Sequence, residues 1–117
     1  MGLRSLLSDA WEFAKELVGK IAEFVTAVFI HLLSFTRHIV SWFKDPKRLS
    51  NLSKNKNIIA VTVKENLDNG NYNVVDCLFD KSTNDIIDIS DSALYEAGDL
   101  DQETENAFGD KPMVVLQ

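Results

Sequence analysis

Cysteine is almost absent from this chain of 117 residues: Cys77 stands alone, so neither a disulfide framework nor a cysteine-built zinc cluster can form within it. Proline is nearly as scarce, with only Pro46 and Pro112, so nothing of that kind interrupts a helix before Lys44. Histidine stops at His38, which leaves the C-terminal half without the usual general base. No Walker, GxGxxG, GxSxG or HExxH pattern occurs, and there is neither an internal repeat nor a low-complexity tract. The opening "MGLRSLLSDAWEF" lacks a signal-peptide layout. Met1-Gly2 begins like a myristoylation motif, but Leu6 stands where that motif wants Ser or Thr. These absences point away from an enzyme and name no cofactor.

What is present is divided. Residues 1–56 carry nine basic and five acidic side chains; residues 57–117 carry three and thirteen. The halves therefore hold +4 and −10, which add to the net −6. An acidic C-terminal half repels nucleic acid, so no nucleic-acid partner is expected.

From Asp9 to about Lys44 the spacing predicts one long helix. Asp9 suits an N-cap with Glu12 three residues on, and Gly19 is the weak point. Trp11, Val18, Val25, Leu32 and Ile39 recur every seven residues, as do Ala14, Ile21, Val28, Phe35 and Trp42. Together they form an a/d stripe of coiled-coil type. Phe29, Ile30 and Leu33 fall outside it, so the helix becomes apolar all round, as a buried helix is.

Residues 46–57, beginning "PKRLSNLSK", read as a basic linker. Residues 58–117 read as a small acidic module. Strands are expected over 58–65, 72–80 and 86–90, with an Asn69-Gly70 turn between the first two. Val75, Cys77 and Phe79 should share the buried face of the second. A short helix capped by Asp99, with Gln102 as its capping partner, should present Leu100, Thr104, Ala107 and Phe108 inward and end at Gly109. "MVVL" at 113–116 closes the module as a strand started by Pro112. The fold class expected is α+β: a long N-terminal helix (1–45), then an antiparallel β-meander with one short helix.

Scale makes this arrangement unstable alone. A helix of about 35 residues is roughly 52 Å long, whereas a module of about sixty residues is about 25 Å across. The helix interface residues Trp11, Val18, Ile21, Val25, Val28, Leu32, Phe35, Ile39 and Trp42 then need lipid, copies of the chain, or a partner to cover them, with a helix folded back on its own module as the lesser reading. Lys44, Lys47, Arg48, Lys54 and Lys56 behind Trp42 and Phe43 resemble a membrane's positive cytoplasmic flank. The uninterrupted apolar stretch of about twelve residues is short of the roughly twenty a span needs, and Arg37 and His38 lie in any extension of it. An in-plane anchor suits residues 9–23 better.

Other chemistry has bland explanations. His31 and His38 lie seven apart, too far for i, i+4 metal chelation on one helix, and suit packed or capping roles. Asp99, Asp101, Glu103, Glu105 and Asp110 imitate a calcium loop, but Thr104 and Asp110 replace its Gly and its bidentate Glu. Cys77 lies among apolar neighbours as a core residue does. Asp76, Asp80, Asp85, Asp88 and Asp91 read as a solvated acidic face. The expectation is a non-enzymatic assembly or anchoring protein. It attaches through residues 9–43 to a membrane, to copies of itself, or to both, and presents its acidic module to a protein partner. Its place is then the cytoplasmic face of a membrane, or the cytoplasm if an oligomer buries the helix. The alternative is a regulatory or inhibitory subunit whose helix docks in a larger protein's groove; a small-ligand or divalent-ion module in the C-terminal half is a third.

Overall fold

The computed structural model describes residues 10–116, with side chains from Glu12 onward. The cap expected at Asp9 and the Trp11 side chain lie outside the described residues. The first element is helix α1, Ala10–Ala22. Ala14, Leu17, Val18 and Ile21 make its inner face, and all four are buried against the sheet. Each of the larger three contributes about 1.5–3 kcal/mol by leaving water.

The long helix is not found: α1 stops at Ala22, and Val28–Leu33 is a strand, β1. Val25, Thr26, Val28 and Ile30 crowd β-branched side chains into six positions, which lowers helix propensity and suits a pleated strand. A π-helical segment, Phe35–Val40, follows and runs into a single α-turn at Ser41–Phe43. Residues read as a linker contain helix α2, Pro46–Lys54. Asp45 and Pro46 start that helix as well as ending what precedes it. The Asp45 carboxylate accepts the Lys47 N–H at 2.9 Å, and Pro46 occupies the first helical turn, where its missing N–H costs nothing.

The remaining strands are β2 (Ile58–Asn66), β3 (Tyr72–Asp80), β4 (Asp85–Ile87), β5 (Ala93–Leu100) and β6 (Met113–Leu116). Helix α3, Gln102–Phe108, separates the last two. All six strands form one mixed sheet in the order β1-β5-β3-β2-β6, with β4 attached to the end of β3. It is not a meander. β1 runs parallel to β5, and β6 pairs with β2 on the far side. The β2–β3 hairpin turns at Asn69-Gly70, where Gly70 takes a φ of 87°.

Three further expectations are corrected. The third strand is Asp85–Ile87 rather than 86–90, because Asp88 turns left-handed and Ile89–Asp91 forms a 3-10 turn. Helix α3 is capped by Asp101, not Asp99: the Asp101 carboxylate accepts the Thr104 N–H at 2.9 Å. Strand β5, central to the sheet, falls on residues 93–98, to which sequence patterning assigned nothing, and takes in Asp99 and Leu100, which were expected in the short helix.

Both faces of the sheet are covered. Val61, Val63, Val75, Cys77 and Phe79 pack under α1, with Phe13 edge-on to Phe79 at 5.4 Å. The opposite face carries Val74, Ala97 and Leu78 under Ile39, Trp42 and Phe108. β3 is therefore buried on both sides over Val74–Phe79.

Candidate functional site

The expected interface stripe is dispersed over three places. Val18 and Ile21 are in the core beneath α1, with Val25 half-buried against the same cluster. Ile39 and Trp42 are buried on the other face, and Phe35 is half-buried there. Among the stripe residues whose side chains are described, Val28 and Leu32 stay in solvent, on β1. Phe24 and Phe29, which the stripe left out, join them. These four are 63% (Phe24), 56% (Val28), 62% (Phe29) and 50% (Leu32) exposed. Four large apolar side chains thus stand in water within nine consecutive residues.

Their position makes them more than scattered surface residues. β1 is the end strand of the sheet and has no strand beyond it among the described residues. "VFIHLL" also contains no charge and no proline, the usual protections of an open edge. The orientation of its backbone follows from two contacts. The Leu33 carbonyl accepts the Asp101 N–H at 2.9 Å, and the His31 carbonyl lies 3.0 Å from where a Cβ on Gly98 would stand. Phe29, His31 and Leu33 therefore turn their backbone groups toward β5. Val28, Ile30 and Leu32 turn theirs outward, because successive residues of a strand alternate.

The basic flank separates as well. Lys44, Lys47, Lys54 and Lys56 are exposed around α2. Arg48 is not part of a free surface, its side chain being 12% exposed. Its guanidinium stacks 4.2 Å over the Trp42 ring, donates to the Trp42 carbonyl at 2.8 Å, and donates to the Asp91 carbonyl and carboxylate at 3.2 and 3.1 Å. Trp42 Nε1 donates to the same Asp91 carbonyl at 3.1 Å. The residue read as part of a basic cytoplasmic flank instead pins α2 to the 3-10 turn.

Beneath this clamp lies a polar feature that patterning missed. Asp76 is wholly buried between Val74 and Leu78 and stands opposite Thr62 in the β2–β3 ladder. Neither carboxylate oxygen of Asp76 has a hydrogen-bond partner of good geometry, and neither has the Thr62 hydroxyl or the nearby core's Ser92 hydroxyl. Burial pushes the Asp76 carboxyl up to about 8, against the opposing pull of Thr62 and of the Arg48 charge. The group is thus predominantly a neutral acid at neutral pH. Its neighbour Cys77, on the other face, is raised to about 12 by burial and then by Asp76, so its thiol is held protonated.

The other candidates resolve individually. His31 is exposed on β1, while His38 is half-buried, its Nδ1 2.9 Å from the Ser34 N–H and its ring 5.6 Å from Tyr95. In the calcium-like stretch, Asp101 is used as the α3 cap and also accepts the Phe35 N–H at 3.3 Å. Against burial, which raises it, hydrogen bonds from Thr104, Phe35 and Ser34 hold Asp101 below the usual carboxylate range. No group of three metal-ligating side chains converges among the described residues. A groove of about 610 Å³ runs between α1 and the β3–β4 turn, lined by Phe13, Leu17 and Phe79 and bridged by Lys20–Asp85 at 2.8 Å. No helix among the described residues is long and apolar enough to cross a membrane.

Compared with protein-family models, with curated proteins and with solved structures, the chain finds no match in any of the three.

Proposed function

We propose that this is a non-enzymatic attachment protein whose contact surface is the open β1 edge with its flanking Phe24, and whose acidic body faces a protein partner. The observation that carries this reading is the exposure of Phe24, Val28, Phe29 and Leu32 around an unprotected strand edge. Large apolar side chains clustered in this way along one strand edge mark interaction sites on otherwise polar proteins. The attaching segment is the oily stretch singled out by sequence, in the form of a strand and the turn before it. The helix that was to dock in a partner's groove has its apolar face occupied by its own sheet, which removes the support for a groove-docking subunit. The lone cysteine, Cys77, is buried with its thiol held protonated.

The test compares the full chain with a Phe24→Ser/Phe29→Ser double variant by light scattering alone and by cosedimentation with phosphatidylcholine–phosphatidylserine vesicles. Both substituted side chains are mostly exposed, so the circular dichroism spectrum should be unchanged. The unsubstituted chain should associate in one of the two assays and the variant in neither. An unsubstituted chain that stays monomeric and ignores vesicles contradicts the reading.

A further inference from the structure

We infer that the occupant of the β1 edge is a second copy of this chain, paired antiparallel across a two-fold axis that passes through Ile30; this rests on the reading of that edge as the contact surface. The outward backbone groups belong to Val28, Ile30 and Leu32. A two-fold axis at Ile30 sets Ile30 against itself and Val28 against Leu32 of the other copy. Each of these is a hydrogen-bonded pair that exchanges two N–H···O=C bonds. Every free group of the edge is then satisfied, and two six-stranded sheets become one continuous sheet.

The side chains agree with that register. Cross-strand neighbours interact directly, and here Val28 meets Leu32, Ile30 meets Ile30, and Phe29 meets His31. No like charges are opposed. The apolar area available is close to that of a standard interface. Phe24, Val28, Phe29 and Leu32 at their observed exposures present on the order of 400 Å² of apolar surface per copy. A standard interface buries about 800 Å² per partner, a little over half of it non-polar.

Lipid is a poorer occupant. It would cover the side chains but leave the N–H and C=O groups of Val28, Ile30 and Leu32 unpaired in hydrocarbon, where each costs several kcal/mol. A two-fold axis also closes the assembly at two copies, whereas a parallel addition would leave a new edge open.

The experiment is sedimentation velocity of the full chain over a concentration series, joined to oxidative cross-linking of Ile30→Cys and Val28→Cys variants. In the inferred register the Cα atoms of two copies of residue 30 are about 5.5 Å apart, within disulfide range, whereas those of residue 28 are about four strand positions apart. The chain should move to twice its monomer mass as concentration rises. Ile30→Cys should cross-link into a dimer on a non-reducing gel, and Val28→Cys should not. Val28→Glu and Leu32→Lys should each abolish the dimer singly and restore it when combined, because the two charges then face each other. A single mass at every concentration, or equal cross-linking at both positions, overturns the inference. Vesicle binding lost with Phe24→Ser/Phe29→Ser in a chain that stays monomeric leaves the edge reading intact while the second copy is overturned. A monomer that also ignores vesicles overturns both.

Discussion

Thr62 and Asp76 face each other across strands β2 and β3, both wholly buried, with the threonine hydroxyl and both carboxylate oxygens lacking hydrogen-bond partners of good geometry. Removing an ionised carboxylate from water without compensation is costly, and such a group neutralises instead. Arg48, Tyr95 and Cys77 are the other titratable groups whose charges couple to it.

The first consequence is a dependence of stability on pH. The folded-state pKa of Asp76, about 8, lies above the 3.8 of an unperturbed aspartate. Between those two values the folded chain binds a proton that the unfolded chain does not. The stabilisation is complete below the lower value and is lost as pH rises through the upper, by about 1.4 kcal/mol per pH unit for a single group. Asp76→Asn should remove that slope and be more stable than the unsubstituted chain near pH 8. Urea denaturation of both at pH 5, 6.5 and 8 measures it. An unsubstituted chain whose stability does not fall between pH 5 and 8 contradicts the neutral-acid reading of Asp76.

Arg48 should be a stability residue rather than a surface charge. Arg48→Lys keeps the cation but cannot reproduce a planar stack on Trp42 together with bonds to Trp42 and Asp91. A loss of about 1–3 kcal/mol is expected. Lys47→Ala and Lys54→Ala, on exposed neighbours in the same helix, should change stability by less than about 0.5 kcal/mol. Equal effects at all three positions would mean that the clamp contributes nothing.

Ile39 and Leu32 are one heptad apart in sequence, yet one is wholly buried and the other half exposed. Ile39→Ala should therefore cost about 2–4 kcal/mol, while Leu32→Ala should cost little in a dilute monomer. A single continuous helix with both residues in one seam would make the two costs alike. Thermal or chemical unfolding of the two variants distinguishes the cases.

Gly98 is required by close approach: a Cβ there would stand 3.0 Å from the His31 carbonyl oxygen, which is backbone and cannot swing away. Gly98→Ala should displace β1 from β5 and destabilise the chain by about 1–3 kcal/mol. An amide spectrum with residues 28–33 unchanged would contradict this account of the β1–β5 contact.

Sequence patterning located the β2–β3 hairpin, the closing strand, the Gly109 terminus and the inner face of α1 through Ala14, Val18 and Ile21. Each rests on a local signal: an Asn-Gly turn, an alternating or β-branched run, a helical repeat. β1 was hidden because a seven-residue recurrence in an almost wholly apolar stretch fits helix and strand alike. The β-branched residues at Val25, Thr26, Val28 and Ile30 were the signal that could have separated them. Its partner is also remote, since Val28 pairs with Tyr95, and a parallel pairing leaves no turn to read. β5 itself was masked by Glu96, Gly98 and Asp99, which interrupt alternation. Asp76 looked like one acid on a solvated face because burial of both faces of β3 depends on residues 35–54 packing over the sheet, which no short window contains. The mismatch between oily surface and available cover persisted in changed form: shortening the helix to Ala22 still leaves Phe24, Phe29 and Leu32 in water.

Amide hydrogen exchange across residues 24–33, followed with protein concentration, tests the open edge most directly. In dilute solution Phe29, His31 and Leu33 should be protected by β5 while Val28, Ile30 and Leu32 exchange quickly, and the second set should gain protection as the chain associates. Uniform protection of all these amides at every dilution, as a continuous helix would give, would contradict the account.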